Sequence, residues 1–326
     1  MKVGIIGTGV FSTSIAITLA SNKDNEIIMW SENKKLVEDF KKTKKLNTIF
    51  KDRSIPKNIK VTNEYQEAID EVELVFLVTG VEYLESVCKD LKKIIDPDIP
   101  VCIATKGLAT TSKKLNYEIG QKILKNKVSI IAGPTFAIDV ANLEPIGFTL
   151  ASKDKKGKEI IKKAFDFKDL YIEDSVDLTG VAICGCVKNI YAIGSGIING
   201  LGNHESTQAF YLKAVYEELS NVLYAYKSCL ETLNSLAGFG DLILTCSSNK
   251  SRNYSYGELI GKKGNKKEAK KFLEKNTVEG VNTVNAMYHI LKKKHVKCPI
   301  INTIYEILNN DLKPQKLIDV LISKND

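Results

Sequence analysis

The chain has 326 residues, 44% of them hydrophobic and 26% charged, and a formal net charge of +8. That length accommodates two domains with separate cores, and the balance of residues excludes a disordered or fibrous chain. The excess charge is scattered lysine, in pairs such as Lys34-Lys35 and Lys292-Lys293, with arginine only at Arg53 and Arg252. No basic stripe with interleaved aromatics occurs, which argues against a nucleic-acid partner.

From the N-terminus, short apolar runs alternate with helical patterns. Lys2–Ile6, Glu26–Trp30, Leu74–Val78, Val101–Ala104 and Ser129–Ala132 read as strands, with Phe11–Ser21, Val81–Ile95 and Ser112–Lys125 as helices between them. Continuous apolar strands suit a parallel sheet covered on both faces, so the pattern predicts a doubly wound, Rossmann-like α/β domain. Ile146–Ala151 and Leu170–Ile172 read as strands that extend this sheet. Past Val176 helical periodicity takes over, in Val176–Ile198, Thr207–Ser228, Thr232–Ala237, Val281–Lys293 and Ile300–Leu308. Asn199–Ser206 and Thr245–Ser255 read as loops. The expected organisation is a dinucleotide-binding domain over residues 1–175 and an all-helical substrate-binding and catalytic domain over residues 176–326.

Val176–Ile198 approaches the length of a membrane span. Asp177, Lys188 and Asn189 interrupt it and no flanking aromatic or basic pattern accompanies it, so a buried core helix is expected and no membrane span. The seven cysteines form no C-x-x-C pair, and His204, His289 and His295 lack metal or triad spacing. No disulfide framework and no metal site is expected. Free thiols in apolar segments, and a first strand leading into a glycine turn rather than a signal peptide, point to the cytoplasm.

Gly7-Thr8-Gly9-Val10-Phe11-Ser12 follows a predicted strand and opens a predicted helix. There Gly7 permits the tight turn and Gly9 lets the backbone approach a pyrophosphate at the helix N-terminus. Ser12 replaces the third glycine of this fingerprint. The bland alternative is a glycine turn in an unliganded α/β domain. Glu32 lies about 20 residues past the glycines, where a carboxylate bonds an adenosine 2′-hydroxyl and repels a 2′-phosphate. It favours NAD over NADP, although Lys34 and Lys35 pull the other way, and Glu32 also fits as a helix-start carboxylate.

Lys188 is the single cation near the centre of the longest apolar stretch. Burial disfavours an ammonium, lowers its pKa and makes it a competent proton acceptor, which suggests a dehydrogenase with a lysine base. Lys106 follows a strand and so projects from the carboxyl edge of the sheet, and Ala132–Ala137 repeats that placement. Asp241 interrupts the apolar run Leu236–Cys246. Ser251-Arg252-Asn253 offers hydroxyl, guanidinium and amide together, a set suited to phosphate or carboxylate. Taken singly, each has a bland alternative: Lys106 as a surface lysine, Asp241 as a helix cap and Arg252 as half of a surface ion pair.

The ordered series ATKGL at Ala104–Leu108, AGPTFAIDV at Ala132–Val140, VKNIYAIGSGIINGLG at Val187–Gly202, LAGFGDLILTC, SRN and VEGVNT at Val278–Thr283 runs nearly end to end. With the N-terminal glycine turn, it resembles the bacterial-type NAD(P)-dependent glycerol-3-phosphate dehydrogenases. The resemblance implies reversible hydride transfer between dihydroxyacetone phosphate and sn-glycerol 3-phosphate, supplying glycerol phosphate for phospholipid synthesis. It implies Lys188 as proton acceptor, with Lys106, Asn189, Asp241 and Thr245 around the reacting carbon. Gly133 and Thr135 would contact substrate, and Ser251, Arg252 and Asn253 the phosphate, with Arg252 also near the cofactor. Val10, Phe11, Ala137 and Glu279 would contact the cofactor, and a homodimer is expected. The chain departs from the family in Phe11-Ser12, where Trp-Gly is usual, and in Asn203-His204-Glu205 after Gly202. The readings still open are a related two-domain hydroxy-acid dehydrogenase and a non-catalytic NAD(P)-binding redox sensor.

Overall fold

The computed structural model describes residues 1–46, 50, 55–109, 111–262 and 266–323; Arg53 lies outside them. Two compact units emerge, Met1–Ala109 with Lys114–Leu178, and Thr110–Lys113 with Thr179–Asp326.

In the first unit the strands are β1 (Lys2–Ile6), β2 (Glu26–Trp30), β3 (Ile59–Thr62), β4 (Leu74–Leu77) and β5 (Val101–Ile103). A small hairpin follows, β6 (Leu108–Ala109) and β7 (Lys114–Leu115), and then β8 (Val128–Ala132), β9 (Ile146–Ala151) and β10 (Leu170–Ser175). Eight of them form one sheet in the order β10-β9-β8-β5-β4-β1-β2-β3. The pairings from β3 across to β8 are parallel; β9 pairs antiparallel with β8, and β10 runs parallel to β9. Val3, Ile5, Ile27, Met29, Leu74 and Phe76 are all fully buried, as strands covered on both faces require. The expected fold class holds: a mostly parallel, doubly wound sheet and a helical second unit. Strand order reverses between β1 and β4, which makes the carboxyl ends of those two strands the ligand-binding crevice of such sheets.

The helix Val10–Ser21 is buried from Ser12 to Ala20. Its hydroxyls tolerate burial because they reach carbonyls: Ser14 donates to Ala137 O at 2.6 Å and Thr18 to Val140 O at 3.1 Å. One predicted helix needs correction. Ser112–Lys125 holds the hairpin strand β7 and a shorter helix, Asn116–Ile123. Lys113 takes a φ of 53°, which interrupts helical winding, and the Glu118 carboxylate accepts the Leu115 N–H at 2.8 Å, fixing the later start.

In the second unit the main helices are Leu178–Gly200, Glu205–Ala225, Asp241–Cys246, Arg252–Gly261, Lys266–Lys275, Glu279–Lys293, Pro299–Asn309 and Lys316–Ile322. Thr232–Ala237, read as one helix, is divided between a 3₁₀ turn, Leu230–Asn234, and a π turn, Leu236–Gly240. The Ser235 hydroxyl accepts from Gly238 N and so starts a new turn where a single helix was expected. The expected loop Thr245–Ser255 is also shorter: Thr245 and Cys246 end one helix and Arg252 opens the next, with Ser251 as its cap.

Leu178–Gly200 is a core helix, buried without interruption from Gly180 to Ile198. Its small residues are explained by the helix Arg252–Gly261 lying against it. A Cβ at Gly196 would stand 2.0 Å from Tyr254 O, and one at Gly257 would stand 2.0 Å from Ile193 O. Glycines on both partners let the two backbones touch. That contact brings the Ser251–Asn253 segment to the helix that carries Lys188.

Candidate active site

In the first unit the candidate residues gather at the carboxyl edge of the sheet. Gly7 leaves β1 with a φ of +130°, and a Cβ there would lie 2.4 Å from Val78 O at the end of β4. Only glycine meets both demands. Gly9 caps the helix Val10–Ser21 without a side-chain bond, and the first turn holds no acidic residue. The helix therefore presents its positive end with no carboxylate in its own first turn, which fits a pyrophosphate. Ser12 does not intrude: its hydroxyl donates back to Gly9 O at 3.0 Å. The Lys106 ammonium lies 5.4 Å from the centre of the Phe11 ring, so two separately inferred residues meet.

Glu32 is exposed just past β2, and the following helix, Lys34–Thr43, is capped by Asn33, whose Oδ1 accepts from Leu36 N at 3.1 Å. The helix-start role once open to Glu32 thus belongs to its neighbour. Trp30 stacks on Tyr65 with ring centroids 4.0 Å apart, and burial, reinforced by Asp90 and Glu32, pushes the Tyr65 phenol up to about 12. Thr135 is buried beyond β8 and turns its hydroxyl toward Gly133 O at 3.5 Å. Ala137 opens the short helix Ala137–Ala141.

The second unit assembles the other residues. Lys188, on the core helix, forms an ion pair with Asp241, the first residue of Asp241–Cys246; their side chains are 6% and 1% exposed. Thr245, one turn on, donates to Asp241 O at 2.6 Å and to Asp241 Oδ1 at 3.3 Å. The carboxylate is thereby held where it opposes the desolvation cost of the ammonium, so burial does not act on Lys188 alone. Asp241 is no helix cap; Gly240 occupies that position. The surroundings are buried. Burial pushes the thiol of Cys246 well up, against the pull of Lys188, and that of Cys186 up to about 12.

Beside this pair, Asn189 Nδ2 donates to Glu279 Oε2 at 3.1 Å, and Asn253 Nδ2 donates to Asn189 Oδ1 at 2.9 Å. The Ser251 hydroxyl accepts from Tyr254 N at 3.3 Å, and Arg252 stands exposed at the start of that helix. Each unit thus gathers its own set: Gly7, Gly9, Val10, Phe11, Glu32 and Lys106 along one sheet edge, and Lys188, Asn189, Asp241, Thr245, Asn253 and Glu279 across four helices.

Sequence reasoning missed the polar ties that hold these residues. Thr8 donates to the Ser31 hydroxyl at 2.8 Å, joining the glycine turn to the end of β2. Thr105 accepts from Thr79 N at 3.2 Å, joining the end of β5 to that of β4. Hydroxyl residues at strand ends are the available signal, but they are too common to select without coordinates.

Family models described as the N-terminus and the C-terminus of NAD-dependent glycerol-3-phosphate dehydrogenase match residues 2–158 and 177–319. A glycerol-3-phosphate dehydrogenase [NAD(P)+] of Thermoanaerobacter sp. is 32% identical over 100% of this chain and 98% of its own length. One of Clostridium botulinum is 32% identical over 98% and 97%. Among solved structures, a glycerol-3-phosphate dehydrogenase of Coxiella burnetii is similar with a TM-score of 0.91 and 27% identity, covering 99% of both chains. The chain belongs to the NAD-dependent glycerol-3-phosphate dehydrogenase family.

Proposed function

We propose that this chain interconverts dihydroxyacetone phosphate and sn-glycerol 3-phosphate with NAD(P), and that its physiological product is glycerol phosphate for phospholipid synthesis. The observation that carries the reading is the buried Lys188–Asp241 pair in a chain of this family. When bound, the nicotinamide supplies or accepts the hydride. Everything else falls to protein side chains. In the reducing direction Lys188 Nζ gives a proton to the oxygen that becomes the alcohol; in the oxidising direction it takes that proton back.

Asp241, held by Thr245, keeps the ammonium in place and stabilises its charge. Lys106 polarises the carbonyl as negative charge develops on its oxygen. Ser251, Arg252 and Asn253 bind the phosphate, so that binding energy at the non-reacting end orients the reacting carbon. Gly133 and Thr135 border the substrate.

The coenzyme is bound through Gly7, Gly9, Val10, Phe11, Lys106 and Ala137, and also contacts Arg252 and Glu279. Glu32 favours NAD over NADP by accepting from the ribose hydroxyl and repelling a 2′-phosphate. The protein works in the cytoplasm as a homodimer. Incubating purified chain with dihydroxyacetone phosphate and NADH, and following both absorbance and glycerol 3-phosphate, tests the activity. Absence of that product with either NADH or NADPH would overturn it.

A further inference from the structure

On this reading the substrate phosphate is held by Ser251, Arg252 and Asn253, and the second unit shows what holds them. Asn253, buried at the start of its helix, accepts the backbone N–H of Gly280 through Oδ1 at 2.9 Å. Its Nδ2 donates to Asn189 Oδ1 at 2.9 Å, and Asn189 Nδ2 donates to Glu279 Oε2 at 3.1 Å. Every link is directional. The Gly280 N–H demands an oxygen from Asn253, which sends the Asn253 amino group toward Asn189; the Glu279 carboxylate demands a donor from Asn189, which returns its oxygen to Asn253. Both amides are thus locked in one orientation.

Gly280 is the closest packed member. A Cβ on it would lie 2.6 Å from Asn189 O, 2.8 Å from Asn253 Oδ1 and 2.8 Å from Ile193 Cδ1. Asn189 O belongs to the core helix and cannot step aside; the Asn253 side chain is the freer of the two polar neighbours. Three helices are therefore pinned at one point, one residue from Lys188 on the first and one residue from Arg252 on the second.

We propose that Gly280 is a positioning residue for the phosphate anchor. Together with the Glu279–Asn189 link it fixes the Asn253 amide, and through it the first turn that carries Arg252, in the geometry that receives the phosphate. This rests on the function proposed above, and it adds to that function a residue with no side chain to touch substrate. A phosphate oxygen is received by the second Nδ2 hydrogen of Asn253, which the lock aims, and by Arg252.

The test compares Gly280→Ala with wild type on dihydroxyacetone phosphate and on dihydroxyacetone, which has the same reacting carbonyl and no phosphate. The expected result is a KM for the phosphorylated substrate raised about tenfold or more, with kcat reduced less than about threefold. The efficiency on dihydroxyacetone should change by less than about twofold, so the preference for the phosphorylated substrate falls. General damage to the fold would lower both efficiencies together. If circular dichroism shows Gly280→Ala unfolded, Asn189→Ser removes the acceptor of Asn253 without adding bulk and is expected to lower the same preference. A folded variant with that preference intact overturns the positioning role. A wild type that reduces neither substrate removes the proposed function on which the inference stands, and the two failures are told apart by that control.

Discussion

The ammonium of Lys188 rests against the carboxylate of Asp241, with both side chains almost sealed from water. Such a pair is stable only as a pair. Removing one member takes the opposite charge away from a buried ion, at a cost of about 3–5 kcal/mol. Asp241→Ala should therefore lower the unfolding free energy by about 3 kcal/mol, and the double variant Lys188→Met/Asp241→Leu should recover most of that loss. Urea denaturation of the three proteins decides it. A single variant as stable as wild type would show that the pair carries no such energy.

Arg252 is exposed at the helix start, ready to meet an anion. Charge-assisted bonds lost from a substrate phosphate appear as weakened affinity, so Arg252→Ala should raise the KM for dihydroxyacetone phosphate about ten- to a hundredfold. Steady-state kinetics at constant ionic strength measures this. An unaltered KM would take Arg252 out of the anchor.

Glu218 offers a pH readout away from the chemistry. It is buried beneath the helix Pro299–Asn309, where its two carboxyl oxygens accept from Ile300 N at 2.6 Å and Ile301 N at 2.9 Å. Burial outweighs those bonds and pushes its carboxyl from 4.5 to about 7. The folded chain keeps this proton in a range where the unfolded chain has lost it. The resulting stabilisation is complete below about pH 4.5, is lost as pH rises through about 7, and amounts to roughly 3 kcal/mol. Glu218→Gln cannot titrate, so wild type should lose stability relative to this variant between pH 5 and pH 8. Parallel stability curves would contradict the assignment.

Much of this architecture was legible before coordinates because its signals are local. The apolar strands and the glycine turn at Gly7 and Gly9 each follow from short-range pattern, and β1 and β2 fall where their apolar runs begin and end. Lys188 was conspicuous because one cation stands in a long apolar helix. What escaped the sequence is what depends on contacts distant in the chain. The π turn Leu236–Gly240 breaks an apparent helix through the Ser235 hydroxyl, and the helix that Ser251 caps packs on the core helix where Gly257 lies against Ile193 O. The lock through Asn189, Asn253 and Gly280 joins three segments whose separation no local pattern encodes. Asp241, expected beside Lys188, does pair with it.

Glu32 sets the expected coenzyme preference. A carboxylate there should make NADH the better reductant, and Glu32→Ser should narrow the gap by relieving repulsion of the 2′-phosphate. The ratio of kcat/KM for NADH and NADPH, before and after substitution, measures it. Equal use of both coenzymes by wild type would contradict the assignment.

The most direct measurement concerns Lys188. General acid–base catalysis contributes about a hundred- to ten-thousandfold, so Lys188→Ala should lose at least about two orders of magnitude in kcat for dihydroxyacetone phosphate reduction. It should still bind NADH with near wild-type affinity. Turnover preserved in a folded Lys188→Ala protein would contradict the central claim that this buried amine moves the proton.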